Sequence, residues 1–137
     1  MGRILAVDVG TVRVGIAMSD PSGTIASPFE VIDRRKVDPA RRVAALVAEH
    51  EVERVVVGRP LTLDGSPGQA VHEVERFVTR LAKIVAVPID YWDERMSTAQ
   101  AQRDMIDAGA RRKERHDNVD KVAAALILQS YLDARGK

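Results

Sequence analysis

Two short apolar runs open the chain, Ile4-Leu5-Ala6-Val7 and Val14-Gly15-Ile16-Ala17-Met18, with Asp8-Val9-Gly10-Thr11 between them. Runs of this length, bounded by turn residues, predict strands rather than helices, here over residues 3–8 and 12–19. Asp20-Pro21-Ser22-Gly23 has turn chemistry throughout, Pro fixing φ and Gly accepting positive φ. Residues 25–32 then read as the third strand of a meander. Asp38-Pro39 predicts an N-cap followed by Pro at the first helical position. Val43, Leu46 and Val47 share one face of the helix behind it.

Arg54-Val55-Val56-Val57-Gly58 is continuously apolar at its centre, as in a strand buried on both faces. Ser66-Pro67-Gly68-Gln69 predicts a helix start by its capping pattern and early Pro. Val71, Val74, Val78, Leu81, Ala82 and Val85 supply its apolar stripe. Residues 88–92 read as a fifth strand. Ser97-Thr98-Ala99-Gln100 opens a further helix to about Ala108, which Gly109 ends. A basic linker over 109–116 should lead to a last helix from about Asn118 to Arg135, with Val119, Val122, Ala123, Leu126, Ile127 and Ser130 on one face. Three antiparallel strands followed by alternating helices and strands imply one α/β domain over residues 1–137, a mixed sheet with helices on its faces.

Composition narrows the class. With 137 residues, 45% hydrophobic and 30% charged, the chain can bury one good core and is neither disordered nor fibrous. No apolar run approaches membrane-spanning length, and Arg3 interrupts the place where a signal peptide needs apolar residues. The absence of cysteine excludes disulfides, thiol catalysis and cysteine-based zinc sites, and is compatible with a cytoplasmic location. A net charge of +1 says little about partners. Its distribution says more, because Arg34-Arg35-Lys36, Arg41-Arg42 and Arg111-Arg112-Lys113-Glu114-Arg115-His116 are basic clusters able to meet a phosphate backbone or to remain solvated.

Carboxylates fall where strands or helices are expected to end. Asp8 follows the first strand, Asp93 and Glu94 follow the fifth, and Asp117 and Asp120 lie near the start of the last helix. An acid at the end of a buried strand is costly unless a metal, a cation or backbone amides meet it. The carboxyl ends of parallel strands open at one edge of the sheet, so acids from separate segments can converge there. Such a cluster suits a hard octahedral ion, Mg²⁺ or Mn²⁺. It also suits phosphodiester hydrolysis, in which two ions about 4 Å apart activate water and stabilise the leaving oxygen. Competing structural roles are an N-cap for Asp117, a favourable dipole position for Asp120, and an ion pair with Arg95 for Asp93. Strand alternation through residue 94 would admit only one of Asp93 and Glu94 to the site. His50 and His72 read as surface residues, and His116 adjoins Asp117.

Taken together, the motifs Asp8-Val9-Gly10-Thr11-Val12-Arg13-Val14-Gly15, Val57-Gly58-Arg59-Pro60 with Asp64-Gly65-Ser66, Asp93-Glu94-Arg95-Met96-Ser97-Thr98 and Val119-Asp120-Lys121-Val122-Ala123-Ala124 resemble the YqgF (RuvX-like) family of ribonuclease H-fold proteins over nearly the whole chain. The resemblance implies a five-stranded sheet in the order 3-2-1-4-5 and a divalent-metal nuclease. It associates the chain with trimming of the 5′ end of pre-16S ribosomal RNA and with Holliday-junction resolution. By position it makes Asp8, Glu94 and Asp120 the metal-binding acids, with Asp93 and Asp117 as further candidates. Arg13 and Arg95 become phosphate or structural partners. Arg59, which stands where the family usually has Leu, and Arg111, Arg112, Lys113 and Arg115 in the basic linker are further candidates to touch nucleic acid. The end of the fourth strand carries Gly58-Arg59-Pro60 where many ribonuclease H-fold nucleases have an acid.

Two other readings stay open on sequence grounds. Asp8-Val9-Gly10-Thr11 also resembles the first phosphate loop of actin and sugar-kinase ATPases, which close two such lobes around a nucleotide. A ribosome-assembly module that binds RNA without cutting it would share the fold. A monomer and a homodimer are both compatible with the sequence, and symmetric cleavage of a junction requires the dimer.

Overall fold

The computed structural model describes residues 2–61, 68–99 and 113–136, with residues 113–120 by their backbone alone. Strands β1 (Arg3–Val9), β2 (Arg13–Ser19) and β3 (Ala26–Asp33) form an antiparallel meander. Helix α1 (Pro39–Glu49) leads to β4 (Val52–Arg59), and α2 (Gln69–Ala82) leads to β5 (Ile89–Asp93). A 3-10 turn over Glu94–Met96 follows, and α3 spans Lys113–Arg135. The sheet order is β3-β2-β1-β4-β5, with β1, β4 and β5 parallel. This is the order and mixture that the family resemblance implied.

Alternation along β1 divides the core. Leu5 and Val7 face α1 and α2, packing with Val55, Val57, Val43, Leu46, Val74, Phe77 and Leu81. Ile4 and Ala6 face the other side with Val56, and meet Ala124, Leu128, Tyr131 and Leu132 of α3. Each strand residue therefore buries against helix on one face or the other, which is why the central strands are apolar without interruption. Ala17 from the sheet and Ala124 from α3 bring that helix close to the strands.

The cap of α1 is as expected, with Asp38 accepting from the Ala40 amide at 3.2 Å and Pro39 opening the helix. Glu30 on β3 takes both ends of the Arg42 guanidinium at 2.7 Å, fastening α1 to the sheet edge. That guanidinium holds the Glu30 carboxyl below its ordinary range.

Some expectations need correction. The last helix begins at Lys113, so Lys113 and Arg115 belong to it and not to a linker, and Asp117 lies inside the helix and is not its N-cap. Lys113-Glu114-Arg115-His116 contains no helix breaker, and its long straight side chains favour helix. The buried face of α3 is Ala123, Ala124, Ile127, Leu128, Tyr131 and Leu132, rotated from the one expected. Val122, Leu126 and Ser130 are half-buried on its flank. Helix α2 buries Phe77 and leaves Ala82 exposed. It opens at Gln69 with Gly68 as a cap without a side-chain bond, and the Ser66-Pro67 pattern lies outside the described residues. The helix expected to run to Ala108 lies outside them beyond Ala99. No helix among the described residues is long and apolar enough to cross a membrane.

Candidate functional site

Strand β1 continues one residue past Asp8, which pairs with Gly15 in the antiparallel ladder. Asp8 is therefore held by strand geometry and not by a flexible tip. By alternation it shares the face of Ile4 and Ala6, the α3 side. It is 6% exposed. The chain then turns through Gly10, whose amide donates to the Arg13 carbonyl at 2.9 Å. A Cβ on Gly10 would lie 2.6 Å from that carbonyl oxygen, backbone that cannot swing away. Gly10→Ala should therefore lower stability by about 1–3 kcal/mol, the usual cost of overpacking. Chemical denaturation of wild type and variant checks this.

Glu94 reaches the same face by a different route. Strand β5 ends at Asp93, and the 3-10 turn that follows carries Glu94 inward, leaving it 5% exposed. The Ser97 amide and hydroxyl both donate to the Glu94 carbonyl, at 3.1 and 3.0 Å. Ser130 on α3 donates to the Met96 carbonyl at 2.8 Å and receives the Trp92 indole N–H at 3.0 Å. The turn that bears Glu94 is thus clamped to the helix on that face.

Gly58 lies between the two acids. It is the step after Val57, which pairs with Val7, so it neighbours Asp8 across the β1–β4 ladder, where strands are about 4.8 Å apart. A Cβ on Gly58 would stand 3.2 Å from both Cγ and Oε2 of Glu94, and 2.8 Å from Cδ1 of Ile127. The missing side chain is the space that the Glu94 carboxylate occupies. Where an acid might end the fourth strand, the chain has a glycine that admits an acid from the next segment. Reasoning from sequence missed Gly58 as a site residue, although a glycine in a buried strand signals close approach.

The remaining candidates divide. Asp93 accepts from the Arg95 amide at 2.9 Å and from its guanidinium at 2.7–3.1 Å, which holds the Asp93 carboxyl below its ordinary range. Arg59 pairs with Asp93 in the β4–β5 register and adds to that effect. Its guanidinium lies 5.6 Å from the Tyr91 ring centre, and its Nε is buried without a hydrogen-bond partner among the described residues. Arg13 opens β2 opposite Asp33. Asp120 lies on α3 three and four residues before the buried Ala123 and Ala124, and Asp117 almost one turn earlier; their side chains, like those of Lys113 and Arg115, are outside the described set. Arg111 and Arg112 also fall outside it. Among the described residues, no group of three or more acids and histidines converges on one point. His50 caps α1 and packs edge-on against Phe29, and His72 is exposed on α2.

A mixed five-stranded sheet with α3 on one face and two helices on the other, and two buried acids at the carboxyl edge of its parallel strands, defines a ribonuclease H-like fold. Thermus thermophilus RuvC, solved in complex with a Holliday-junction substrate, superposes with a TM-score of 0.62 at 16% identity, over 99% of this chain and 96% of that one. The chain belongs to the RuvX family, described as Holliday junction resolvase, whose profile matches residues 2–134. A Mycobacterium sp. (strain KMS) protein named "Putative pre-16S rRNA nuclease" is 46% identical over 98% of this chain and 81% of its own. A protein of the same name from Desulforamulus reducens is 40% identical, over 98% and 99% respectively.

Proposed function

We propose that the chain is a divalent-metal-dependent endonuclease that hydrolyses phosphodiester bonds in structured nucleic acid. The observation that carries this reading is the approach of two buried carboxylates, Asp8 and Glu94, from separate elements onto one face across Gly58. Two carboxylates with so little contact with water are hard oxygen donors of the type that Mg²⁺ and Mn²⁺ take, with waters completing the shell. They fit such an ion, and Asp120 on α3 would be the third ligand. A divalent ion held there supplies water activation and charge stabilisation for an in-line displacement at phosphorus.

The protein's own residues do the rest. Buried strand geometry and the clamped 3-10 turn fix the carboxylates before substrate arrives, so little reorganisation is left for the reaction. Asp93 fixes Arg95 at the rim of the site, and Arg59 stands beside them. The guanidiniums of Arg95, Arg59 and Arg13 would hold phosphate oxygens beside the bond to be cut. The basic segment from Arg111 to Arg115 would extend that contact at the start of α3.

The substrate reading is 5′-end processing of pre-16S rRNA, supported by the name shared by relatives at 40–46% identity. A second reading, a Holliday junction cut by a homodimer, is favoured by the family's description. The test offers both a 5′-extended rRNA precursor and a four-way DNA junction to the purified protein, with Mg²⁺, with Mn²⁺, and with EDTA. Cleavage of one substrate that EDTA abolishes is expected, and names the pathway. Retained RNA binding with no cleavage of either would replace the nuclease by a binding module.

A further inference from the structure

The cluster Arg34-Arg35-Lys36 has no part in the site described above. In the fold it meets α2, and Arg34, Arg35, Lys36, Arg76 and Arg80 together line an open groove of about 590 Å³. Among the described residues two carboxylates, Asp38 and Glu73, share that lining, and a third, Asp33 beside it, takes the Arg35 guanidinium through both oxygens at 3.0 Å. Glu73 is divided between Arg76, at 2.6 Å, and Arg34, at 3.7 Å, and Asp38 holds Arg80. These acids fix the four guanidiniums in place, and five cations against three carboxylates leave the groove a net positive charge. The side chains of Arg35, Arg76 and Arg80 remain 61–63% exposed, so each still presents part of its guanidinium to solvent.

The groove is tied to the site. Arg34 donates its guanidinium to the Gly10 carbonyl at 2.6 Å and its amide to the Val12 carbonyl at 2.9 Å, so the groove starts at the turn that follows Asp8. Asp8 faces α3, whereas the groove lies on the side of α1 and α2, at the same edge of the sheet. Cations gathered this way raise the local concentration of a polyanion. Five of them, spread along a loop and one turn of helix, exceed what a single phosphate needs and match a repeating one. Guanidinium forks suit phosphate oxygens.

We propose that this groove binds the phosphodiester backbone of the nucleic acid whose cleavage is proposed above, at phosphates away from the bond that is cut. The proposal rests on the nuclease reading for its ligand, and its test does not depend on cleavage. Full-length Asp8→Asn protein is the parent, so that substrate stays intact, and binding of the labelled junction and the rRNA precursor is followed by fluorescence anisotropy at several salt concentrations. Each lost phosphate contact lowers the slope of log K against log salt by roughly 0.7–0.9. Adding Arg35→Gln and Arg76→Gln should flatten that slope by about 1–2 and weaken binding at low salt by about tenfold or more. Lys36→Gln alone, expected to flatten it by about 1, guards against a folding defect in the pair. Arg135→Gln, an exposed cation in a groove beside Gly2 and Ile4 at the far edge, should change neither quantity. Slopes and affinities equal to the parent's would overturn the proposal, as would a parent that binds neither nucleic acid. Failure of the wild type to cleave, with the slope change intact, would overturn the nuclease reading and leave the groove standing.

Discussion

Asp8→Asn is expected to abolish cleavage while leaving the fold in place. The amide has the shape of the carboxylate, so the packing of Ile4, Ala6 and α3 around it is preserved. What is lost is the negative charge, held 6% exposed at the carboxyl edge of the central strand. If that charge holds the ion that stabilises the transition state, several kcal/mol of barrier lowering go with it. A loss of ~4 kcal/mol corresponds to a rate reduction on the order of 10³-fold. The amide keeps the carboxylate's shape and can still hydrogen-bond, so the variant should melt cooperatively as a folded protein. Single-turnover cleavage and thermal melting of both proteins are the checks, and cleavage by Asp8→Asn at the wild-type rate would remove Asp8 from the chemistry.

Gly58→Ala should separate activity from folding in a different way. The added methyl would sit 2.8 Å from Cδ1 of Ile127, and 3.2 Å from Cγ and Oε2 of Glu94. Ile127 is fully buried and Glu94 is 5% exposed, so neither moves into open space. Overpacking of this kind costs about 1–3 kcal/mol. Cleavage should fall as well, by up to about tenfold, because Glu94 must give way by a few tenths of an ångström, a fraction of the ~1 Å misplacement that costs on the order of 10²-fold. Gly58→Ala combined with Ile127→Val relieves the tighter contact and should recover stability, yet cleavage should stay low because Glu94 remains displaced. Recovery of both together would show that Gly58 serves packing alone.

These two positions also show what the sequence could and could not disclose. Asp8 was legible because a carboxylate closing an apolar run is an energetic anomaly in one dimension as well as three. The sheet's strand order came from family resemblance, while the meander and the doubly buried β4 followed from turn chemistry and continuous apolar runs. The choice between Asp93 and Glu94 was not legible. Alternation along a strand was the wrong frame for it, since β5 stops at Asp93 and a 3-10 turn sets the direction of Glu94. The ion pair of Asp93 with Arg95 was anticipated as the competing role, and the structure contains it. Gly58 escaped notice because its function is an absence, visible only when Glu94 and Ile127 are seen to fill it.

The last helix was misread at its start for a related reason. Charged residues without Gly or Pro look the same in a linker and in an exposed first turn, and only the backbone distinguishes them. Its buried face is turned toward Ala124, Leu128 and Tyr131 because the helix packs across β1, β2 and β3, where close approach selects small residues at one end. Phe77 on α2 was overlooked amid valines, although it fills the opposite core layer.

The central claim is that acids from three separate elements hold one divalent-ion centre. Binding of Mn²⁺ measured by electron paramagnetic resonance, in wild type and in Asp8→Asn, Glu94→Gln and Asp120→Asn, tests it most directly. The account predicts saturable binding in the wild type, lost or strongly weakened in each of the three variants while all four proteins remain folded. Wild-type affinity in any of the variants, or no binding by the wild type, would contradict it.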